Sequence, residues 1–147
     1  MKTLNKKSEQ KFREFITKSD MKHHWRMTWH EDHDVSPGVP DLHFVMKGGP
    51  HQVGWIELKS TDLPLKADNK IEIQPSQHQY IREWVLAMPI WFLVNVCGRC
   101  HLIKGHFHSH LAEVYDEAAL MEMADIIFPK QEIALHLPDY LKGKTAI

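Results

Sequence analysis

Residues 39–59 read VPDLHFVMKGGPHQVGWIELK, and this stretch decides the fold. Two runs, 39–46 and 52–59, alternate between apolar and polar residues and flank the glycine-rich segment 47–51. Such alternation is typical of half-buried strands, and a short connection containing glycine joins strands that run antiparallel. The stretch therefore predicts a β-hairpin.

Centring the hairpin on Gly49 determines which side chains meet. Asp41 then lies opposite Glu57, and Lys59 shares their face because side chains alternate across a strand. Directly opposed residues have Cβ atoms about 4.5–5.5 Å apart, so we expect two carboxylates side by side. The other face is apolar and is predicted to pack on the core; it carries Leu42, Phe44, Ile56 and Leu58.

Patterns elsewhere predict a mixed α/β (α+β) fold with the element order α-β-β-β-α-β-β-α. Ser8 is the predicted N-cap of the first helix, and Pro75 suits the first turn of the second. Apolar residues at helical spacing predict helices at 6–18, 75–88 and 110–127. Alternation or a continuous apolar run predicts strands at 24–30, 90–96 (covered on both faces) and 100–104.

Length and composition indicate one domain spanning residues 1–147, with a core at about 6–127 and a C-terminal tail at 128–147. Hydrophobic residues make up 43% of the chain and charged residues 25%, which is ordinary for a globular protein. The N-terminus is polar, so no signal peptide is expected, and no apolar run is long enough to cross a membrane. A cytoplasmic location is expected, in the host cytoplasm if the chain is viral.

Basic residues are concentrated at one end although the net charge is −1. Residues 1–30 hold eight lysines and arginines against three acids, whereas residues 111–128 hold five acids and no lysine or arginine. A near-neutral total can hide one basic face, which is what attraction to phosphate needs. The best candidates for contacts with a nucleic-acid backbone are Lys6, Lys7, Lys11, Arg13 and Arg26.

The opposed carboxylates need a partner, because like charges directly opposed are destabilising. Mg²⁺ prefers oxygen ligands and is often bound by one or two carboxylates plus a substrate phosphate. A bound cation also lowers the pKa of water and stabilises charge on a phosphoryl oxygen. The alternative is a surface hairpin in which Asp41 or Glu57 forms an ordinary ion pair with Lys59, and such pairs contribute little to stability.

Three segments together resemble the PD-(D/E)xK nuclease superfamily, and more narrowly its VRR-NUC group: Gly38-Val39-Pro40-Asp41, Gly54-Trp55-Ile56-Glu57-Leu58-Lys59 and Gln74-Pro75-Ser76-Gln77. The likeness covers roughly residues 8–104, with the same order of elements. It implies a restriction-endonuclease-like core in which Lys59 assists catalysis. The implied ligands of Mg²⁺, for which Mn²⁺ is expected to substitute, are Asp41, Glu57 and the backbone carbonyl of Leu58.

The resemblance also implies a glutamine and a glutamate on helices near the site. Gln77 matches the glutamine, although a glutamine in the first turn can simply cap its helix. Glu9 and Glu14 are both candidates for the glutamate. Glu9 is preferred because it shares the inward face of Phe12 and Ile16, whereas Glu14 lies about 140° further round the helix. Glu9 could instead compensate the helix dipole.

The implied activity is that of a Mg²⁺-dependent endodeoxyribonuclease that leaves 5′-phosphate ends. Stand-alone members of the group resemble phage-type junction resolvases, so branched DNA such as a Holliday junction is the expected substrate. Two cuts across a junction suit a homodimer, for which the helix at 110–127 and the Trp-rich strand are candidate faces. One alternative is nicking of flaps, forks or plain duplex. Another is a nuclease-fold module that only binds nucleic acid or a partner protein.

Several cysteines and histidines suggest other chemistry. The CGRCH motif at 97–101 has the spacing of c-type haem attachment, but it falls where a hairpin turn belongs, and no haem is expected. A structural zinc would need four ligands, so both cysteines would have to recruit histidines, and metal binding stays open. The alternating histidines could share one side of a strand; they are His106, His108 and His110. Three more lie near the carboxylates in sequence, namely His30, His33 and His43, of which His43 shares the face of Asp41 and either lines the groove or has a structural role.

Overall fold

A computed structural model describes residues 2–30, 37–47, 53–142 and 144, with side chains from Lys6 onward. The tip of the predicted hairpin at 48–52 and the segment 31–36, which includes His33, lie outside the described residues. The elements are α1 (Lys2–Lys18), β1 (Trp25–Trp29), β2 (Leu42–Met46), β3 (Val53–Thr61), α2 (Pro75–Trp84), β4 (Ile90–Val96), β5 (Arg99–Lys104), α3 (His108–Leu111), α4 (Glu117–Met123), β6 (Ile126–Pro129) and α5 (Ile133–Leu141).

The described residues form one six-stranded sheet in which the strands follow chain order from β1 to β6. Strands β3 and β4 are parallel, and α2 provides the crossover that such a pair requires. The other neighbouring strands are antiparallel. The fold is therefore mixed α/β with a mostly antiparallel sheet, as the α+β class requires. Every residue of β4 is buried, which confirms the prediction that both its faces are covered.

The hairpin has the predicted register, with Leu42 paired to Ile56 and His43 paired to Trp55. Strand β2, however, begins at Leu42 rather than at 39, and β3 continues to Thr61. Pro40 has no N–H to give to a sheet ladder, which is one physical reason for the late start of β2. The second half of β3 therefore has no residue of β2 paired beside it.

Helices cover the sheet on both sides. Helices α1 and α5 pack on the apolar face of the hairpin, where the buried residues include Phe12, Ile16, Leu42, Phe44, Ile56, Leu137 and Leu141. Helices α2, α3 and α4 pack on the other side, against the second half of the sheet, with Ile81, Phe92, Val94, Ile103, Leu111 and Leu120. The sheet itself separates the two layers, and β4 contributes to both, with Leu93 in the first and Phe92 in the second.

The predicted helix at 110–127 is wrong. The chain forms the short helices α3 and α4 there, followed by strand β6. The Asp116 side chain accepts a hydrogen bond from Ala119 N at 2.8 Å and so begins a new helix in the middle of the predicted one. The histidines at 106–110 lie on a 3₁₀ turn and on α3 rather than on a strand.

Two further boundaries differ from the sequence predictions. Helix α2 ends at Trp84, and residues 85–88 form turns. The predicted tail at 128–147 is wrong for residues 128–141, because β6 pairs with β5 and α5 places Leu137 and Leu141 in the core. The apolar run that precedes Pro129 completes the sheet edge, a long-range pairing that no local periodicity reveals.

The candidate dimer faces also change. With the helix at 110–127 absent, the remaining candidate is the Trp-rich strand β1. Trp25 is buried and stacks on Phe44, with ring centroids 4.1 Å apart, and Trp29 lies beneath the guanidinium of Arg13. These tryptophans serve the core and α1. In the described part of the chain, no helix has the length and apolar character needed to cross a bilayer.

Candidate active site

The site lies at the start of β2, where one edge of β3 is left without a neighbouring strand. Leu58 N donates to Asp41 Oδ2 at 2.9 Å, and Ser60 N donates to the carboxylate of Glu9. Backbone groups on a strand edge must find partners, and here acidic side chains replace the missing strand. Because the N–H and C=O of a strand residue point to the same side, the carbonyl of Leu58 faces this edge as well.

Asp41 and Glu57 come together, as the register predicts. Asp41 N donates to Glu57 Oε1 at 3.2 Å, and Glu57 is only 3% exposed. Burial raises the pKa of Glu57 well above its usual value, the negative charge of Asp41 raises it further, and Lys59 partly opposes both. A hydrogen bond between the two carboxyl groups adds to this rise in pKa. Glu57 therefore retains a proton more strongly than an isolated carboxylate would.

Glu9 is the glutamate of α1 that reaches the site, and Glu14 is exposed. Burial raises the pKa of Glu9 to about 7, opposed by Lys59 and reinforced by the charges of Asp41 and Glu72. The preference for Glu9 over Glu14 is thus confirmed for position. The sequence around Glu72 gave no sign that this residue would approach α1.

Lys59 and Gln77 complete the cluster around Glu57. Lys59 Nζ lies 3.5 Å from Glu57 Oε2 and donates to Gln77 Oε1 at 3.1 Å. Gln77 Nε2 donates to Glu57 Oε2 at 2.7 Å. Gln77 Oε1 also accepts from Gln74 N at 2.9 Å, so this glutamine both caps α2 and connects the helix to the site. Gln77 therefore makes the contact expected of a helix cap, and it also contacts the residues of the site.

Gly38 holds the loop that carries Asp41 against the first turn of α2. Its φ is +85°, and a Cβ built there would lie 2.2 Å from the carbonyl oxygen of Ser76. Only glycine permits this approach without displacing the backbone. The glycine thus brings Asp41 and Gln77 to the same cavity from segments far apart in sequence.

A cavity of about 460 Å³ opens at this place. Its volume is in the range of ordinary ligand pockets, and ten of its thirteen lining residues carry polar side chains. It is lined by Lys6, Glu9, Pro37, Gly38, Asp41, Glu57, Lys59, Ser60, Ile71, Glu72, Gln74, Ser76 and Gln77.

The predicted backbone-binding residues do not form one patch. Lys6 lines the cavity, while Lys7 and Lys11 are exposed elsewhere on α1. Arg13 lies 4.7 Å above the ring of Trp29. Arg26 is exposed on the sheet face opposite to the one that α1 covers. Among these five residues, only Lys6 is in direct contact with the cavity.

Ser8 is the clearest residue whose role the sequence prediction missed, because it is not an N-cap. It is buried within α1, its Oγ lies 2.7 Å from Ser60 Oγ, and it donates to Asp62 Oδ1 at 3.1 Å. Asn95 Nδ2 donates to Ser60 Oγ at 2.9 Å. Ser8 precedes Phe12 by four residues, so the same helical period could have placed it on the inward face. This cluster, called the neutral cluster for its hydroxyl and amide groups although Asp62 joins it at one edge, fastens α1 to β3 and β4 beneath the cavity.

The donors at the cavity fit Mg²⁺ better than a softer metal. They are carboxylate and carbonyl oxygens, which hard cations prefer. In the described ranges, no three His, Cys, Asp or Glu side chains are arranged as a preformed metal site. The candidate set is therefore the pair Asp41 and Glu57 with the Leu58 carbonyl. Burial is the main cause of the raised pKa of Glu57, and the negative charge of Asp41, which a cation between the two would compensate, raises it further.

The cysteines lie away from these carboxylates, whereas the backbone of His30 lies beside them and His30 N donates to Asp41 O at 2.7 Å. Cys97 is exposed, whereas Cys100 is buried, and burial raises the pKa of its thiol to about 12. A thiol with so high a pKa is a poor metal ligand, since binding needs the thiolate. His78 Nδ1 and His108 Nδ1 lie 2.6 Å apart and connect α2 to α3. His43, by contrast, lies beside the site with its ring against Trp55.

No family model and no curated protein matches the sequence. The donors, charges and contacts of the cavity are therefore the basis for assigning a function to this chain.

Proposed function

We propose that this protein is a Mg²⁺-dependent endodeoxyribonuclease with a PD-(D/E)xK-type core. The observation that carries the proposal is the meeting of Asp41, Glu57 and Glu9 at one open strand edge, with Lys59 and Gln77 in contact with Glu57. These three acids share the cavity with Glu72 and destabilise one another, and clusters of perturbed pKa values are typical of functional sites. The cavity carries this cost in stability, and oxygen donors converge there.

Each residue has a distinct part in the proposed reaction. Asp41, Glu57 and the carbonyl of Leu58 would hold Mg²⁺. When bound, this ion stabilises charge on a phosphoryl oxygen and lowers the pKa of water. Lys59 presents its amine to the cavity, where it orients the attacking water or stabilises negative charge. Gln77 keeps the Lys59 amine and the Glu57 carboxylate in place through its two hydrogen bonds.

The order of elements supports the same assignment. Helix α1, the strands β1 to β3, the crossover helix α2 and the parallel strand β4 follow one another as the resemblance implies. Asp41 comes just before β2, Glu57 and Lys59 lie on β3, and Gln77 lies in the first turn of α2. Hydrolysis of phosphodiester bonds with 5′-phosphate products is the reaction that such a site would perform.

Branched DNA, such as a Holliday junction, is the proposed substrate, cut by a homodimer. A symmetric junction needs two cuts, which a two-fold assembly supplies. Light scattering with and without a junction tests this, and a monomer under both conditions would contradict it. Cleavage of a junction, a flap and a linear duplex of matched sequence distinguishes the resolvase from a flap, nicking or non-specific nuclease.

The Asp41→Asn variant tests the chemistry itself. We expect it to bind DNA and to lose cleavage in Mg²⁺, while Glu14→Gln, an exposed acid on α1, cuts like the unmodified protein. Unchanged cleavage by Asp41→Asn would show that the assigned site is wrong. Binding should also weaken steeply with salt, because phosphate contacts release counterions.

A second candidate is a module that binds nucleic acid without cutting it. The hydrogen bonds that Asp41 and Glu57 already accept from Leu58 N, Asp41 N and Gln77 Nε2 favour this candidate, since they satisfy part of both carboxylates without a cation. Calorimetry with Mg²⁺ decides between the two. A nuclease should bind the ion with release of protons from the pair, whereas an idle module should not bind it.

A further inference from the structure

The sheet face that carries the two carboxylates continues beyond the cavity. One pair further along the hairpin, His43 lies opposite Trp55, and Thr28 and Arg26 follow on β1. All six residues of this open hairpin face are exposed or half-buried: Arg26, Thr28, His43, Val45, Val53 and Trp55. On β2 and β3, the residues that alternate with them, such as Phe44 and Ile56, are buried. The helices thus cover one side of the hairpin and leave the other side open beside the cavity.

His43 and Trp55 form an aromatic pair on this face. Their ring centroids are 4.7 Å apart with an interplanar angle of 47°. The backbone N–H of Trp55 donates to Pro89 O at 3.0 Å, and its ring packs against the edge of the second core, so the indole is held in place.

The pair is one step from the carboxylates. Two residues along a strand cover about 7 Å, so the rings are within reach of a base whose phosphate lies beside Asp41 and Glu57. Both rings lie on the same face as the carboxylates, because opposed residues alternate together. A strand of nucleic acid could therefore touch both places at once.

The charge of the open hairpin face suits a polyanion. It carries the guanidinium of Arg26 and no acidic side chain among its six residues. Among the described residues of the hairpin, negative charge begins at the cavity, where the cation of the proposed reaction would compensate it. Aromatic rings beside a cationic group are the usual elements of surfaces that bind single-stranded nucleic acid.

We propose that the open hairpin face binds an unpaired stretch of the DNA substrate, with one base stacked on the His43–Trp55 pair while an adjacent phosphate lies at the carboxylates. This inference rests on the proposed nuclease function and adds a substrate requirement to it. A base inside a duplex is already stacked on its neighbours, so only frayed, flapped or branched DNA offers a free base here. Selection for branched substrates would then come from this face rather than from reading of the sequence.

Binding of single-stranded DNA tests the proposal in a background that cannot cut. The parent is the full chain with Asp41→Asn, and fluorescence anisotropy measures its affinity for a labelled single strand and for a blunt duplex. Adding Trp55→Ala should weaken single-strand binding roughly 5- to 150-fold, as loss of base–aromatic stacking does. Trp55→Phe should restore most of it, His43→Ala should have a smaller effect, and duplex binding should change less in every case.

Tyr115→Ala is the matched control, since Tyr115 is 60% exposed on the connection between α3 and α4. It should leave single-strand binding unchanged. If a Trp55→Ala variant that melts like its parent binds the single strand as tightly as the parent does, the proposal is overturned. Should Trp55→Ala fail to fold, an oligonucleotide that contains 2-aminopurine decides: its fluorescence should be quenched by the parent and less by His43→Ala, and equal quenching overturns the proposal.

The two proposals fail in different ways. Cleavage by the unmodified protein together with no effect of the rings overturns the stacking proposal and leaves the nuclease intact. Ring-dependent binding without any cleavage leaves the stacking surface and overturns the nuclease. A parent that binds no single strand at all overturns the stacking proposal, whatever the cleavage assay shows.

Discussion

Two buried polar clusters lie on neighbouring residues of β3. On the core side, Ser60 contacts Ser8 and Asn95, and Gly98 N donates to Asn95 Oδ1 at 3.0 Å. On the cavity side, Glu57 and Lys59 meet further acids. The first cluster consists mainly of hydroxyl and amide groups that hydrogen-bond one another, with the Asp62 carboxylate accepting from Ser8 at its edge. The second holds like charges that raise the pKa of Glu57 and Glu9.

This difference separates a polar cluster that stabilises the fold from one suited to chemistry. A neutral network with every group paired costs little to bury and fixes the position of α1. A cluster of acids lowers the stability of the protein unless a cation or a proton joins it. Substitutions should therefore affect stability in the first cluster and activity in the second.

The largest effect is expected for Glu57→Gln. Loss of a ligand carboxylate should lower single-turnover cleavage in Mg²⁺ by roughly 10²- to 10³-fold, by analogy with removal of other groups that stabilise transition-state charge. Without Mg²⁺, the free energy of unfolding should fall by no more than about 1 kcal/mol, because the variant removes an acid that is costly to ionise in place. Glu14→Gln is the control for both assays. Cleavage by Glu57→Gln at the rate of the unmodified protein would contradict the expectation that substitutions in the cavity cluster affect activity.

The next effect is a dependence of stability on pH in the absence of Mg²⁺. The pKa of Glu9 rises from 4.5 to about 7 on folding, so the folded state holds the proton more tightly. Its contribution to stability is full below about pH 4.5 and is lost as the pH rises to about 7, at most about 3 kcal/mol. Glu57 acts in the same direction.

Thermal melts in EDTA over this pH range measure the effect. Glu9→Gln should flatten the profile, and Mg²⁺ should raise the melting temperature more above pH 7 than below pH 5, because the ion competes with protons. A profile that is the same in Glu9→Gln as in the unmodified protein would contradict the placement of Glu9 in the cavity.

A smaller effect is expected in the neutral cluster. Ser60→Ala removes the hydroxyl that Ser8 and Asn95 share, so it should lower the free energy of unfolding by about 1–3 kcal/mol. Urea unfolding measures this loss, which should not depend on Mg²⁺. A loss that appears only with Mg²⁺ present would mean that Ser60 acts through the cavity instead.

The smallest effect is expected at the rim of the cavity. Lys6→Ala should weaken DNA binding a few-fold and reduce the slope of log affinity against log salt by about 1, as loss of one phosphate contact does. Lys142→Ala is the control, because Lys142 is exposed at the end of α5. Equal salt slopes for the two variants would show that Lys6 does not contact the DNA.

The parts that the sequence predicted well are those governed by local periodicity. Alternation predicted the register of Leu42 with Ile56, and the helical period distinguished Glu9 from Glu14. The helix at 110–127 was wrong because apolar spacing continues across Asp116, where a cap starts a new helix. Strand β6 was missed because its partner β5 lies more than twenty residues earlier in the chain.

By itself, the amino-acid sequence determined the hairpin, the pairing of Asp41 with Glu57 and the inward face of α1. Alternation and helical spacing are properties of neighbouring residues, so they can be derived without knowing the fold. Only the tertiary structure decided that β2 begins as late as Leu42. It also decided that Glu9 and Gln77 reach the edge of β3 that this late start leaves open. That convergence depends on how α1 and α2 pack on opposite sides of β3, and on the close approach of Gly38 to Ser76, neither of which is set by any local period.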